Sequence, residues 1–238
     1  MNAWKGKRVA FIGDSITEGV GSEKAYHEYL AEWMGITALN YGVNGAQTSD
    51  MLGFVRRLER EHPDVDAVFV FGGTNDYNAG LPMGDFFDIA VETVNHDGVE
   101  AARSHRAPVM DDGCFCGRLN RLFGEIKRAF PMAQVVALTP IHRGYATFGA
   151  DNVQPDELWA NARGLFIDDY VHAVRRAAEI WSAQVIDLYR DCGLLPALGE
   201  YAEYFHDPVT DNLHPNARGH ARIARTIMAA LNAIPAEV

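Results

Sequence analysis

Ser15 lies in the run VAFIGDSITEG (Val9 to Gly19), where an apolar segment meets a glycine, an acid and a hydroxyl residue and where a helix could begin. A serine hydroxyl attacks a carbonyl at neutral pH only if a base takes its proton. The run DNLHPNARGH (Asp211 to His220) offers one: Asp211 precedes His214 by three residues and can fold back, so that its carboxylate meets one imidazole nitrogen while the other points away. Such a pair fixes the imidazole tautomer and stabilises the imidazolium. Two further runs offer hydrogen-bond donors. Gly42 and Gly45, in NYGVNGAQTSD, make a turn with bare backbone N–H groups, and Asn75, in FGGTNDY, brings a side-chain amide. Donors aimed at a developing oxyanion are worth about 3 kcal/mol each.

Each run also has a plainer reading. Ser15 with Glu18 is a capping-box pattern, glycines close many turns, Asn75 could bond its own backbone, and an acid three residues before a histidine is common. Pro215 suits a first helical position, which would leave His214 just outside a helix start. Joint occurrence favours the chemical reading, because nucleophile, base, orienter and two donors fall at four separate junctions, and Ser15 is expected to do both jobs, capping the helix and attacking the carbonyl. Asp14 is assigned to local hydrogen bonding.

The elements that must carry these junctions alternate along the chain. Short apolar runs at 8–13, 36–42, 66–73, 133–140 and 183–189 are apolar on successive residues, as strands covered on both faces are. Helical periodicity falls between them, at about 26–34, 49–60, 118–130 and 161–181, and again after Pro215, with Ile223, Ile227, Met228 and Leu231 on one face. Five strands alternating with helices predict a doubly wound α/β sandwich whose ligands bind beyond the carboxyl ends of the strands. One connection, at about 77–117, is too long for a plain βα turn. It reads as an insertion with a short helix around 86–94, either a surface excursion or a lid.

With GDSIT around Ser15, NYGVNG around Gly45, GTND around Asn75 and DNLHP around His214, the chain resembles the SGNH (GDSL-type) esterases and lipases, in that family's block order and over nearly its whole length. The resemblance implies a three-layer α/β/α sandwich on a flavodoxin-like five-stranded parallel sheet, here one domain over 1–238. It implies hydrolysis of a small-molecule acyl ester with Ser15 as nucleophile, His214 as base and Asp211 as its partner. The implied oxyanion hole is the Ser15 and Gly45 N–H groups with the Asn75 side chain. Ile16 stands where leucine is usual, a volume-conserving change. The run differs from a G-x-S-x-G elbow, since Thr17 occupies the place of the second glycine. Short-chain or acetyl esters, with carbohydrate among the alcohols, are the expected substrates. An acyltransferase built on the same acyl-enzyme, and a binding module holding a phosphate at the glycine turns, remain alternatives.

Composition narrows the partners. With 32 acidic against 21 basic residues in 238, a formal charge of −11 and no Lys/Arg run, the chain would repel a phosphate backbone, so nucleic acid is not expected. No apolar stretch approaches a membrane span or the core of a signal peptide, and the chain is expected to be cytoplasmic, although a trimmed signal would leave no trace. Cys114, Cys116 and Cys192 read as free thiols; no metal ligand set is evident and the chemistry calls for no cofactor. Oligomeric state is not legible. His142 and Arg143, in TPIHRG after the fourth strand, are candidates to touch substrate. His206 reads as a loop residue and His220 as an exposed helical one. Tyr145, Phe148 and Trp159 read more readily as loop packing than as a pocket wall.

Overall fold

The computed structural model describes residues 2–236. In chain order its elements are β1 (Arg8–Gly13), α1 (Ser15–Glu18), α2 (Tyr26–Met34), β2 (Thr37–Gly42), α3 (Thr48–Glu61), β3 (Ala67–Phe71), α4 (Thr74–Asn78), β4 (Phe87–His96), β5 (Val99–Pro108), α5 (Phe115–Ala129) and β6 (Gln134–Leu138). They continue with β7 (Ala146–Thr147), β8 (Val153–Gln154), α6 (Ile167–Ile180), β9 (Gln184–Ile186), α7 (Leu188–Asp191), β10 (Phe205–Asp207), β11 (Asp211–Pro215) and α8 (Ala217–Leu231). Five strands form one parallel sheet in the order β2-β1-β3-β6-β9.

Strand periodicity divides the side chains of this sheet between two cores. Ala10 and Ile12 of β1 and Val68 and Val70 of β3 pack on one face with Met51 and Val55 of α3, Leu122 of α5 and Tyr170 of α6. Val9 and Phe11, with Phe69 and Phe71, face the opposite way onto Tyr26 and Leu30 of α2 and Ile223 and Ile227 of α8. The result is the three-layer α/β/α sandwich, and the successive apolar residues of the strands are its direct trace. Phe11 and Phe69 are fully buried, and truncating such a ring to alanine costs about 3–5 kcal/mol.

The boundaries of several elements differ from expectation. The helix expected from Asn161 begins at Ile167, because Asn161 instead builds a turn: its Oδ1 accepts from the backbone N–H of Arg163 (2.9 Å) and Leu165 (3.2 Å). Pro215 ends β11 rather than opening a helix; Asn216 is the N-cap of α8, accepting from Arg218 N and Gly219 N. The helix expected at 86–94 is instead a strand. β4 and β5 form a ten-pair antiparallel ribbon from Phe87↔Pro108 to His96↔Val99, closed by Asp97 and Gly98, both at positive φ (51° and 83°). Such φ values at both central residues are those of a type I′ hairpin turn.

Cys114, Cys116 and Cys192 are buried and unbridged. Burial pushes the Cys116 and Cys192 thiols up to about 12 and about 11, which keeps them protonated and unreactive. Among the described residues no helix is long and apolar enough to cross a membrane.

Candidate active site

Ser15 is the first residue of α1, directly beyond the carboxyl end of β1. The N-cap is Asp14 rather than Ser15: the Asp14 Oδ1 accepts from Ile16 N at 3.0 Å, which leaves the serine hydroxyl uncommitted to the cap. Glu18 accepts a hydrogen bond from Asn44 N on the next junction, so the capping box expected with Ser15 does not form. This short helix sits close against the strand ends because Gly42 allows it; a Cβ there would lie 2.2 Å from Glu18 N.

His214 comes from the other end of the chain on β11, which pairs with β10 and, through Asp211↔Ala146, with β7. Asp211 folds back as expected. Its Oδ1 accepts from Leu213 N (3.2 Å) and His214 N (3.0 Å), and its Oδ2 lies 2.9 Å from His214 Nδ1. His214 Nε2 then lies 2.9 Å from Ser15 Oγ, across 199 positions of sequence. All three side chains are at least nine-tenths buried. Burial raises the Asp211 pKa, but the hydrogen bonds from the His214 ring and from backbone N–H groups outweigh it, and the net direction is downward. Asp211 therefore stays ionised beside the ring, which makes Nδ1 the donor and leaves Nε2 an acceptor for the serine proton.

A cleft of about 240 Å³ opens on Ser15 and His214. Gly45 and Asn75 lie on its wall, as expected, joined by Asn44 and Val20. Gly45 adopts φ 77°, and Asn75, the second residue of α4, is held by a 3.0 Å hydrogen bond from Nδ2 to Ala46 O. Asp76, which the sequence did not mark, locks this rim. Wholly buried, it accepts from Thr48 N (3.1 Å), Thr48 Oγ1 (2.8 Å) and Arg118 Nη1 (3.0 Å), tying α4 to the start of α3 and to α5. Burial raises its pKa, against the opposing pull of those bonds. Asp14 is also fully buried, and desolvation pushes its carboxyl up to about 6 despite the bond from Ile16 N and the nearby His214.

The remaining candidates divide. His142 and Arg143 do not line the cleft. The His142 ring stacks on Tyr189 at 3.7 Å and pairs with Glu157 at 2.7 Å, while Arg143 is 1% exposed and sits behind the cleft wall. Phe148, half exposed, does line the cleft, 5.4 Å from the His214 ring between centroids, whereas Tyr145 and Trp159 lie exposed. His206 belongs to β10 and pairs through Nδ1 with Gly21 O. His220, expected at the surface, is completely buried in α8; its Nδ1 accepts from Tyr26 N at 3.2 Å and its ring stacks on Tyr26. Burial, then the nearby His27 and His214, push its pKa down to about 3. Among the described residues no group of three or more His, Cys, Asp or Glu could hold a metal ion.

A flavodoxin-like sheet carrying these junctions on one rim defines the SGNH class of α/β/α fold, and the comparisons agree. The model of the GDSL-like lipase/acylhydrolase family matches residues 11–222. The chain belongs to that family. Among solved structures it is similar to a protein from Lactobacillus plantarum (27% identity, TM-score 0.75, covering 96% of this chain and 98% of that one). It is also similar to a possible lipase from Chitinophaga pinensis (22%, TM-score 0.72, 95% and 98%). An acetyl-xylooligosaccharide esterase from Geobacillus shares the fold at 18% identity (TM-score 0.56, 97% and 96%). No curated protein matches the chain.

Proposed function

We propose that this protein is a serine esterase that hydrolyses short-chain or acetyl esters, carbohydrate esters among them, through Ser15, His214 and Asp211. The observation that carries the reading is the unbroken line of hydrogen-bonding atoms from Asp211 Oδ2 through His214 to Ser15 Oγ, with 2.9 Å at each step. In this reading His214 Nε2 takes the Ser15 proton as Oγ bonds to the ester carbonyl carbon. The carbonyl oxygen gains the negative charge, held by the N–H groups of Ser15 and Gly45 and the amide of Asn75. His214 then gives its proton to the leaving alkoxide, and the acyl group remains on Ser15. A water molecule, deprotonated by the same nitrogen, cleaves that ester and restores the serine.

The small cleft supports a short acyl group, since about 240 Å³ is less than the volume of most drug-sized ligand sites. A series of p-nitrophenyl esters from acetate to octanoate tests this: turnover is expected to be highest with acetate or butyrate and to vanish in Ser15→Ala. Undiminished turnover in that variant defeats the reading.

A further inference from the structure

Arg143 is a costly residue to place where it stands. Its guanidinium is buried, Nε and Nη1 have no hydrogen-bond partner among the described residues, and its pKa is pushed down, by burial above all. Its ring contact is with Tyr77, 5.2 Å from the centroid. As packing alone a neutral side chain of similar volume would serve better, because a buried cation with empty donors is destabilising. What arginine supplies and a neutral amide or hydroxyl does not is a group with donors only, five of them on one planar fork.

That property decides the orientation of two amides. Arg143 Nη2 donates to Gln154 Oε1 at 2.8 Å, so the Gln154 oxygen must face inward and its NH₂ outward. Gln154 Nε2 in turn donates to Asn152 Oδ1 at 3.1 Å, and Asn152 Nδ2 makes no hydrogen bond with the described residues. Both amides line the cleft beside Phe148. This wall lies on the His214 side, since β7 pairs with β11 and Phe148 packs near the His214 ring. A leaving alcohol must occupy that side, where His214 can return the proton. Among the described residues lining the cleft, His214 alone has an acidic or basic side chain: the other polar ones are Ser15 and the amides of Asn44, Asn75, Asn152 and Gln154.

We propose that Arg143 is a positioning residue that, through Gln154, turns the amide N–H groups of Gln154 and Asn152 toward the leaving group, selecting esters of uncharged polyhydroxylated alcohols. The hydroxyl oxygens of such an alcohol accept from these N–H groups while its carbon skeleton lies on Phe148. The inference rests on the hydrolase reading above.

The test compares glycerol 1-acetate with propyl acetate, which share the acyl group and the three-carbon alcohol and differ in hydroxyls. The ratio of their kcat/KM values is measured for wild type, Arg143→Met, Gln154→Leu and Gln154→Glu. One net hydrogen bond is worth about a five- to tenfold change in this ratio. A fall of that size, carried by KM for the glycerol ester, is expected in Arg143→Met and Gln154→Leu, with no further fall when the two are combined. Gln154→Glu separates positioning from packing. A carboxylate strengthens the bond to Arg143 but carries no N–H and turns the Asn152 amide round, so the ratio is expected to fall while thermal stability holds or rises. If Arg143→Met does not fold, the two Gln154 variants decide. Wild-type turnover with a ratio that none of the variants moves overturns this inference alone, whereas a wild type that cleaves neither ester overturns the hydrolase reading and this inference with it.

Discussion

Replacing Asp14 by asparagine isolates one buried ionisation beside Ser15. Asparagine keeps an Oδ1 that can accept from Ile16 N, so the cap survives while the titratable proton is lost. In the folded chain burial pushes the carboxyl from 3.8 up to about 6. Between those values the unfolded chain has released this proton and the folded chain still holds it, so the Asp14 contribution to stability falls as pH rises. Integrated from pH 4.5 to pH 7.5, the loss is about 2 kcal/mol. His220 acts with the opposite sign. It is pushed down from 6.5 to about 3, so protons bind the unfolded chain first and its contribution falls as pH drops, by about 2–3 kcal/mol over the same interval. In wild type the two nearly cancel, and only the difference between variant and wild type is informative. Urea unfolding of both proteins from pH 4.5 to 7.5 measures it. The stability of Asp14→Asn relative to wild type is expected to rise by about 2 kcal/mol across that range, most of it below pH 6.5. A difference that does not vary with pH would refute a raised Asp14 pKa.

Three other outcomes follow from the geometry. Asn75→Ala is expected to lower kcat on p-nitrophenyl acetate by about a hundredfold or more with the fold intact by circular dichroism; an unchanged rate removes its amide from the oxyanion site. Asp211→Asn presents an N–H to His214 Nδ1 and so places the ring proton on Nε2, facing Ser15; kcat is expected to drop by about 10³–10⁴-fold, and a loss of less than tenfold contradicts the tautomer argument. Excising 88–107 and joining Phe87 to Pro108 through two glycines is expected to leave acetate-ester turnover and the cooperative unfolding transition in place. The ribbon is almost wholly exposed, while Phe86 O and Val109 O, which bind Asn120 Nδ2, are retained; loss of folding in that variant would show that the ribbon supports the core.

The parallel strands are legible in the sequence because a strand buried on both faces leaves an unbroken apolar run, as RVAFIG and AVFVF do. The meeting of Ser15 and His214 is legible only through their junction types, since nothing local in a sequence encodes contact across 199 positions. The ribbon at 87–108 carries a readable signal in the Asp97-Gly98 pair and in the alternation of Phe87, Ile89 and Val91; its alanines and glutamates suit a helix equally on composition. His220 lies three residues before Ile223 and seven before Ile227, so the buried stripe of α8 already includes it, and reading a histidine as polar places it wrongly. Arg143 has no such trace. It lies in irregular chain after β6, and a buried cation there follows from tertiary packing alone. Asp76 is similar, for its partners Thr48 and Arg118 stand 28 and 42 positions away.

The central claim is that Ser15 is a nucleophile activated by His214, and covalent labelling tests it most directly. Incubation with a fluorophosphonate followed by peptide mass spectrometry is expected to give one adduct, on Ser15, absent from Ser15→Ala and formed far more slowly in His214→Ala. An unmodified Ser15, or labelling that proceeds at the same rate without His214, would contradict it.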